Sequence, residues 1–270
     1  DRLYLLKDTT VVHNTTILLN MLKNASQAGI KCLFYCADME ENEFSAKARS
    51  SVLQMSPEKV YALYQKEGEK AEELRKQGNE LVEETLENIY PCYQNVGLTP
   101  DKISNDLKMF KEQGIEIGAV FIDYLQKMEG CHDYGKGTEN LFALKDIIST
   151  QKIPIIGLSQ IPGAYGGNEE TPLLSARAAK GGSIYEETAS IVINIWRPLK
   201  FHSEDSNDKY LGFKIAKNRM GECPSDGVLY FDGAASTIRS LTNEEYAEYE
   251  EVFEEYQESK KQNKKRGAFR

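Results

Sequence analysis

Residues 3–22 read LYLLKDTTVVHNTTILLNML, and the fold turns on how Asp8–Thr16 in the middle of that stretch is taken. Leu3-Tyr4-Leu5-Leu6 is an apolar strand signal. Thr15 to Leu22 repeats its apolar residues at helical spacing, so a strand, a turn and a helix follow one another. A phosphate-cradling loop occupies this kind of junction, with the pattern G-x-x-x-x-G-K-[ST]. Laid on residues 8–15, the pattern places Asp8 and His13 at the glycines, Asn14 at the lysine and Thr15 at the hydroxyl, with Thr16 following. Only the hydroxyl matches. A cradle turns backbone N–H groups inward around an anion, and glycine permits the dihedrals and the close approach. Asp8 brings a carboxylate and His13 a ring, while Asn14 offers an amide dipole where the pattern has a cation. The junction has the position of a nucleotide site with little of its chemistry, and an ordinary strand-turn-helix connection reads the same way.

The rest of the chain bounds the answer. Its 270 residues, 40% of them hydrophobic, suffice for one sizeable α/β domain with an appended tail. A net charge of -9 excludes a generally basic nucleic-acid coat, so contact with DNA would fall to local loops. The five cysteines (Cys32, Cys36, Cys92, Cys131 and Cys223) form no metal-ligand spacing, and a reduced, cytoplasmic protein is expected. No apolar run approaches the roughly 18 residues that span a bilayer, and no signal peptide is visible. A start at Asp1 leads us to expect further residues upstream.

Strand and helix signals alternate, as expected of a parallel sheet covered on both faces. Strand signals lie at Ile30–Cys36, Ile117–Asp123, Ile153–Leu158, Ser190–Trp196, Tyr210–Ala216 and Gly227–Phe231. The acidic turn Ala37-Asp38-Met39-Glu40-Glu41 follows the second strand. A charged helical layer runs from Ser56 to Asn88, and Thr99-Pro100-Asp101 opens another helix. The run ending in Asp123 and the run ending in Ser159-Gln160 are continuously apolar, which suits central strands. Their polar ends fall on the crevice side of such a sheet, where ligands bind.

The order of these pieces resembles the RecA-like motor domain of DnaB-type replicative helicases, superfamily 4, over roughly residues 2 to 240. Ala119-Val120-Phe121-Ile122-Asp123-Tyr124-Leu125-Gln126-Lys127-Met128 is similar to that family's Walker B stretch. Gly157-Leu158-Ser159-Gln160 resembles its strand ending in a glutamine that senses the γ-phosphate. Lys214-Ile215-Ala216-Lys217-Asn218-Arg219-Met220-Gly221 resembles the segment that carries a lysine and an arginine finger into a neighbouring subunit's site. The resemblance implies a RecA-like α/β fold: a mostly parallel central sheet flanked by helices, with a C-terminal helix. It divides the chain into a motor domain (residues 1–240, with a helical elaboration at 56–90), an acidic helix (241–259) and a basic tail (260–270) expected to be disordered.

It also implies roles. ATP and magnesium would be the cofactors, with Thr15 and Asp123 at the metal and Asp123, Gln160, Lys217 and Arg219 as catalytic positions. The family usually has a glutamate after its second strand to activate water, and this chain has the shorter Asp38. With the cradle glycines and lysine also gone, two components of phosphoryl transfer are altered while the others remain. The segment Ile161–Ser183 resembles a loop that holds single-stranded DNA by its phosphates, with Lys180 in place of an arginine beside Arg177, Gly181 and Gly182; lysine keeps the charge and loses the planar fork. Two functions are therefore expected. One is a DnaB-like helicase subunit with an impaired or abandoned ATP site, binding single-stranded DNA and assembling side by side with itself or a related subunit. The other is a non-catalytic pseudo-ATPase that binds a true helicase or another replication partner. No membrane partner is expected.

At the C-terminus, Tyr246, Tyr249, Phe253 and Tyr256 recur at spacings of three and four on an acidic helix, so one aromatic stripe faces a packing surface. Lys260 to Arg266 then forms a basic run.

Overall fold

The computed structural model describes residues 2–9, 14–37, 39–93, 97–131, 133–161, 184–199, 209–222 and 226–267. Nine strands make one sheet: β1 (Leu3–Thr9), β2 (Cys32–Cys36), β3 (Ile89–Tyr93), β4 (Ala119–Asp123), β5 (Ile155–Ile161), β6 (Ile191–Trp196), β7 (Tyr210–Asn218), β8 (Asp226–Asp232) and β9 (Thr237–Ser240). Their spatial order is β3-β2-β4-β5-β1-β6-β7-β8-β9. From β3 to β6 every pairing is parallel, and β7, β8 and β9 continue the sheet antiparallel. The helices are α1 (Asn14–Gln27), α2 (Glu41–Leu53), α3 (Pro57–Gln65), α4 (Glu69–Leu86), α5 (Pro100–Glu112), α6 (Tyr134–Gln151), α7 (Ile184–Thr188) and α8 (Asn243–Gly267).

Every residue of β2 and β4 is buried, because both faces of a parallel sheet are covered and both sides of the strand must be apolar. Alternation sorts the side chains. Leu3 and Leu5 of β1 face one layer with Val120, Ile122 and Ile155, beneath α5 and α6. Leu6 faces the other with Phe34, Phe121 and Leu158, beneath α1 and α2. Leu18 of α1 and Leu144 of α6 are fully buried on these two sides, and each such leucine contributes about 1.5–3 kcal/mol. The helices start where side chains can cap them. Thr99 accepts a hydrogen bond from the Lys102 amide at 3.1 Å, Asp133 from the Lys136 amide at 2.9 Å, and Ser56 precedes Pro57 at the head of α3.

Gly157 in β5 keeps β4 and β5 in register. A Cβ there would lie 2.6 Å from Leu125 in the short 3-10 turn Leu125–Lys127 that follows β4. Leu125 is itself buried in the core, with no room to retreat. Gly157→Ala is expected to destabilise the domain by about 1–3 kcal/mol through overpacking, read as a lower urea midpoint at unchanged slope.

Two strands and one helix end differ from the sequence expectations. β3 has proline at its centre and would not be taken for a strand. It lies at the sheet edge, pairing only with β2, where a missing N–H is tolerated. β9 has four residues, half of them exposed, and pairs only with β8. The helical layer after Ser56 is two helices, broken where Gly68 takes φ 104. α8 runs to Gly267 and so takes in most of the basic run. Its aromatic stripe packs on its own domain: Tyr249 and Tyr256, with Val252 and Phe253, lie against Tyr210 and Val228 of the antiparallel strands. The rings of Tyr210 and Tyr249 are 5.0 Å apart, while Tyr246 stays half-exposed.

Candidate functional site

The C-terminal edge of the parallel strands is where the sequence places a ligand, and there α1 begins. β1 runs two residues into the candidate loop: the backbones of Asp8 and Thr9 pair with Gln160 and Ile161 of β5, and Asp8 also with Ile195 of β6. The helix then starts at Asn14. Thr15, one residue into α1, donates its hydroxyl to Oδ2 of Asp123 at 2.7 Å. Asp123 ends β4 and is buried, and its carbonyl accepts the Ala37 amide at 3.0 Å. A carboxylate in a charge-assisted bond beside a helix N-terminus is favourably placed by both the bond and the helix dipole. The two oxygens that the sequence assigned to magnesium are thereby brought together over the sheet. Both are hard oxygen donors of the kind magnesium takes, so the pair fits that ion.

The flanking residues hold this pair rigidly. Thr16 is buried, and its carbonyl accepts Asn20 Nδ2 at 2.8 Å; the same amide donates to the Ser236 carbonyl at 2.9 Å, tying α1 to the β8–β9 turn. Beyond Asp123, the buried Gln126 donates to Ser159 Oγ at 2.8 Å, clamping the end of β4 to β5. The glutamine of the Tyr-Leu-Gln run is thus a fastener next to the site, one strand residue before Gln160.

Lys217 and Arg219 lie elsewhere. Lys217 pairs with Val192, which pairs with Leu5, and the Arg219 amide donates to the Ser190 carbonyl beside Leu3. Both cations are therefore at the beginning of β1, several residues from its Asp8 end, or on the order of 10–15 Å along the strand. The expected alternation holds: both donate to one acceptor, the Glu187 carbonyl at the end of α7, Lys217 Nζ at 3.2 Å and the Arg219 guanidinium beside it. Burial, Arg219 and Lys145 push the Lys217 ammonium below its ordinary value, against a smaller opposing pull from Glu187. His13, Asp38, Arg177, Lys180, Gly181 and Gly182 fall outside the described residues, and of Asp8, Asn14 and Gln160 only the backbone is described.

Lys7 was not anticipated. It is fully buried in β1, its register partners are Ser159 and Asn194, and its side chain shares the face of Leu3 and Leu5. With Gln126, these residues make a buried polar row across four strands at the base of the site. Burial pushes the Lys7 ammonium down to about 7, and the Lys217 charge adds to the effect. The one signal in the sequence is a cation closing an otherwise apolar strand.

Among the described residues no group of three or more His, Cys, Asp or Glu side chains gathers as a metal site, and no helix is long and apolar enough to cross a membrane.

Comparison with known proteins gives a consistent result. The family defined as the DnaB-like helicase C terminal domain matches residues 2–239. The replicative DNA helicase DnaB of Helicobacter pylori strain 26695 is 22% identical over 211 residues, covering 72% of this chain and 40% of that protein. Its counterpart in strain J99 is 27% identical over 145 residues, covering 48% of this chain and 29% of that protein. The chain thus spans less than half the length of these relatives. Among solved structures, an ATPase domain superposes with a TM-score of 0.76 at 19% identity, over 89% of this chain and 85% of that one. A DnaB-like replicative helicase, solved in a study of its interactions with primase, gives the same score and identity over 89% of this chain and 57% of that one. The sheet and its flanking helices are a RecA-like fold.

Proposed function

The chain belongs to the DnaB-like helicase C terminal domain family, and from that premise we propose that it is a DnaB-like subunit acting in DNA replication, binding single-stranded DNA while its own ATP site is impaired. One observation carries the reading: Thr15 bonds Asp123 at 2.7 Å at the head of a helix whose first residue is Asn14, where the phosphate-binding pattern has lysine. The metal-side oxygens are kept and the phosphate-side cation is gone. In this reading Thr15 and Asp123 would hold magnesium, which supplies charge neutralisation between phosphates when bound. Gln160 contacts the terminal phosphate, and Asp38 stands in for the water-activating glutamate with one methylene less reach. The backbones of Asp8 and Thr9 lie in the β ladder rather than in a loop, which also supports a weakened cradle. Lys217 and Arg219 serve an adjoining subunit, because they sit at the far end of β1 from the chain's own site. Single-stranded DNA is held through Arg177, Lys180 and the glycines Gly181 and Gly182, in the cytoplasm and without a membrane.

The same missing cation favours a second reading, a pseudo-ATPase that binds and regulates an intact helicase or another replication partner. Calorimetry with Mg-ATP, paired with single-stranded DNA titrations, separates the two. For the first, ATP binds weakly, DNA binds, and the salt slope falls by about 0.7 for each phosphate contact removed, so Arg177→Ala with Lys180→Ala flattens it by roughly one to two. DNA affinity that vanishes on truncation after Ser259 would move the second reading ahead. Micromolar ATP binding with turnover of about 1 per second or faster would overturn both.

A further inference from the structure

On the α1 side of the sheet, near the β3 edge, α4 packs against α1 and α2. It presents an outer flank that nothing in the chain covers among the described residues. Leu74 and Leu81, seven residues apart and so on one stripe of the helix, are 46% and 45% exposed. Leu81, Glu84 and Glu87 line a groove of about 300 Å3 against Ser26, Gln27 and Gly29 at the end of α1. Residues 77–87 carry four glutamates (Glu80, Glu83, Glu84 and Glu87) and no cation. The α3–α4 hairpin that presents this surface is fixed to α2: Arg49 donates to Tyr64 Oη at 2.6 Å and to Asn79 Oδ1 at 2.7 Å. An apolar stripe edged by carboxylates, on a pinned scaffold, suits a cationic helix whose lysine stems lie on the leucines and whose ammonium groups reach the glutamates.

This chain carries such a helix. α8 extends to Gly267, and its last residues include Lys260, Lys261, Lys264, Lys265 and Arg266 with no acid among residues 259–267. It does not reach the groove of its own molecule. α8 packs on Tyr210 and Val228, on the face opposite α1, near the other end of the sheet. Seven strand spacings separate β8 from β3, roughly 34 Å, whereas the eleven residues past Tyr256 add about 16 Å of helix. We propose that the basic end of α8 docks into the acidic, leucine-striped α4 groove of a second copy of this chain, as a head-to-tail contact. Two unlike surfaces at opposite ends of one molecule generate a ring if the rotation closes and a filament if it does not. The contact goes beyond the motor reading, since neither surface includes the nucleotide edge or Arg219.

Sedimentation of the full chain at low salt tests it. The expected result is concentration-dependent mass above the 30.5 kDa monomer, lost as salt rises. Glu84→Lys with Glu87→Lys, both exposed positions, weakens association about tenfold or more, and so does Lys264→Glu with Lys265→Glu. All four substitutions in one chain restore it, because the charges are exchanged rather than lost. Arg219→Ala leaves it unchanged. A wild-type chain that stays monomeric, association indifferent to both reversals, or a fourfold variant that stays apart would overturn the proposal. If Lys264→Glu with Lys265→Glu abolishes single-stranded DNA binding and leaves the mass unaltered, the basic end belongs to nucleic acid instead. If Arg219→Ala alone dissociates the assembly, the finger makes the contact and the groove does not.

Discussion

Lys7→Met raises the thermal midpoint at pH 7, and the gain shrinks as the pH is taken toward 10. Lys7 is fully buried in the central strand, and its ammonium is pushed from 10.5 down to about 7, first by burial and then by the charge of Lys217. Between those two values the unfolded chain holds a proton that the folded chain has released. Stability therefore rises with pH across that window and is lowest at and below pH 7. The full displacement is worth about 5 kcal/mol at the conversion of ~1.4 kcal/mol per pH unit. The polar groups around Lys7 return part of that, so a net gain of roughly 2–3 kcal/mol is expected, or about 5–10 °C for a domain of this size. Ser159 keeps its bond to Gln126 after the change, and methionine fills the lysine stem's volume without a charge. Melting curves of both proteins at several pH values between 6 and 10 check the claim. A variant that melts lower at pH 7, or that keeps the wild-type slope, would show that Lys7 contributes more through its bonds than its burial costs.

Lys7 also marks how far the sequence was legible. The central strands were, because β2, β4 and β5 are covered on both faces and must be continuous apolar runs. The pairing of Thr15 with Asp123 was legible for the same reason: a strand ending on an acid beside a helix starting at a threonine leaves few alternatives once the sheet is parallel. β3 was hidden by Pro91, which only an edge position admits, and β9 by its brevity. The end of α8 was hidden because a run of lysines and glutamines has no apolar periodicity, whereas the helix that precedes it is fixed by Tyr249 and Tyr256. Lys7 itself read as the polar end of a strand; its burial follows from β5 and β6 pairing on both sides of it, which depends on residues some 150 positions away. Gln126 was grouped with the chemistry and proves to be a fastener, since its amide reaches Ser159 across the sheet.

The ATP site offers the largest change in activity. The wild-type chain is expected to hydrolyse Mg-ATP at little above background, and Asn14→Lys alone should recover less than tenfold, although it restores the missing charge. A lysine contributes to phosphoryl transfer only where the phosphates are already held. At position 8 the chain keeps an aspartate whose backbone is committed to pairing with Gln160 and Ile195, and at position 13 it keeps a histidine where the pattern asks for no side chain at all. Replacing all three, with Asp8→Gly, His13→Gly and Asn14→Lys, removes a carboxylate that repels phosphate, opens the loop and supplies the cation. A single preorganised charge-stabilising group is worth about 10²–10³ in rate, so the triple variant should exceed the wild type by roughly that factor. Thr15 bonded to Asp123 is the part of the site already in place, and Asp123→Ala in the triple background should return the rate to background. Asp38, one methylene short, keeps the ceiling below that of an intact motor; Asp38→Glu in the same background should add a further increment. Steady-state phosphate release with and without single-stranded DNA measures each step. Full recovery by Asn14→Lys alone would remove the steric half of the argument, and a triple variant no faster than the wild type would mean that the strand-paired backbone of Asp8 and Thr9, rather than the side chains, is what keeps ATP out.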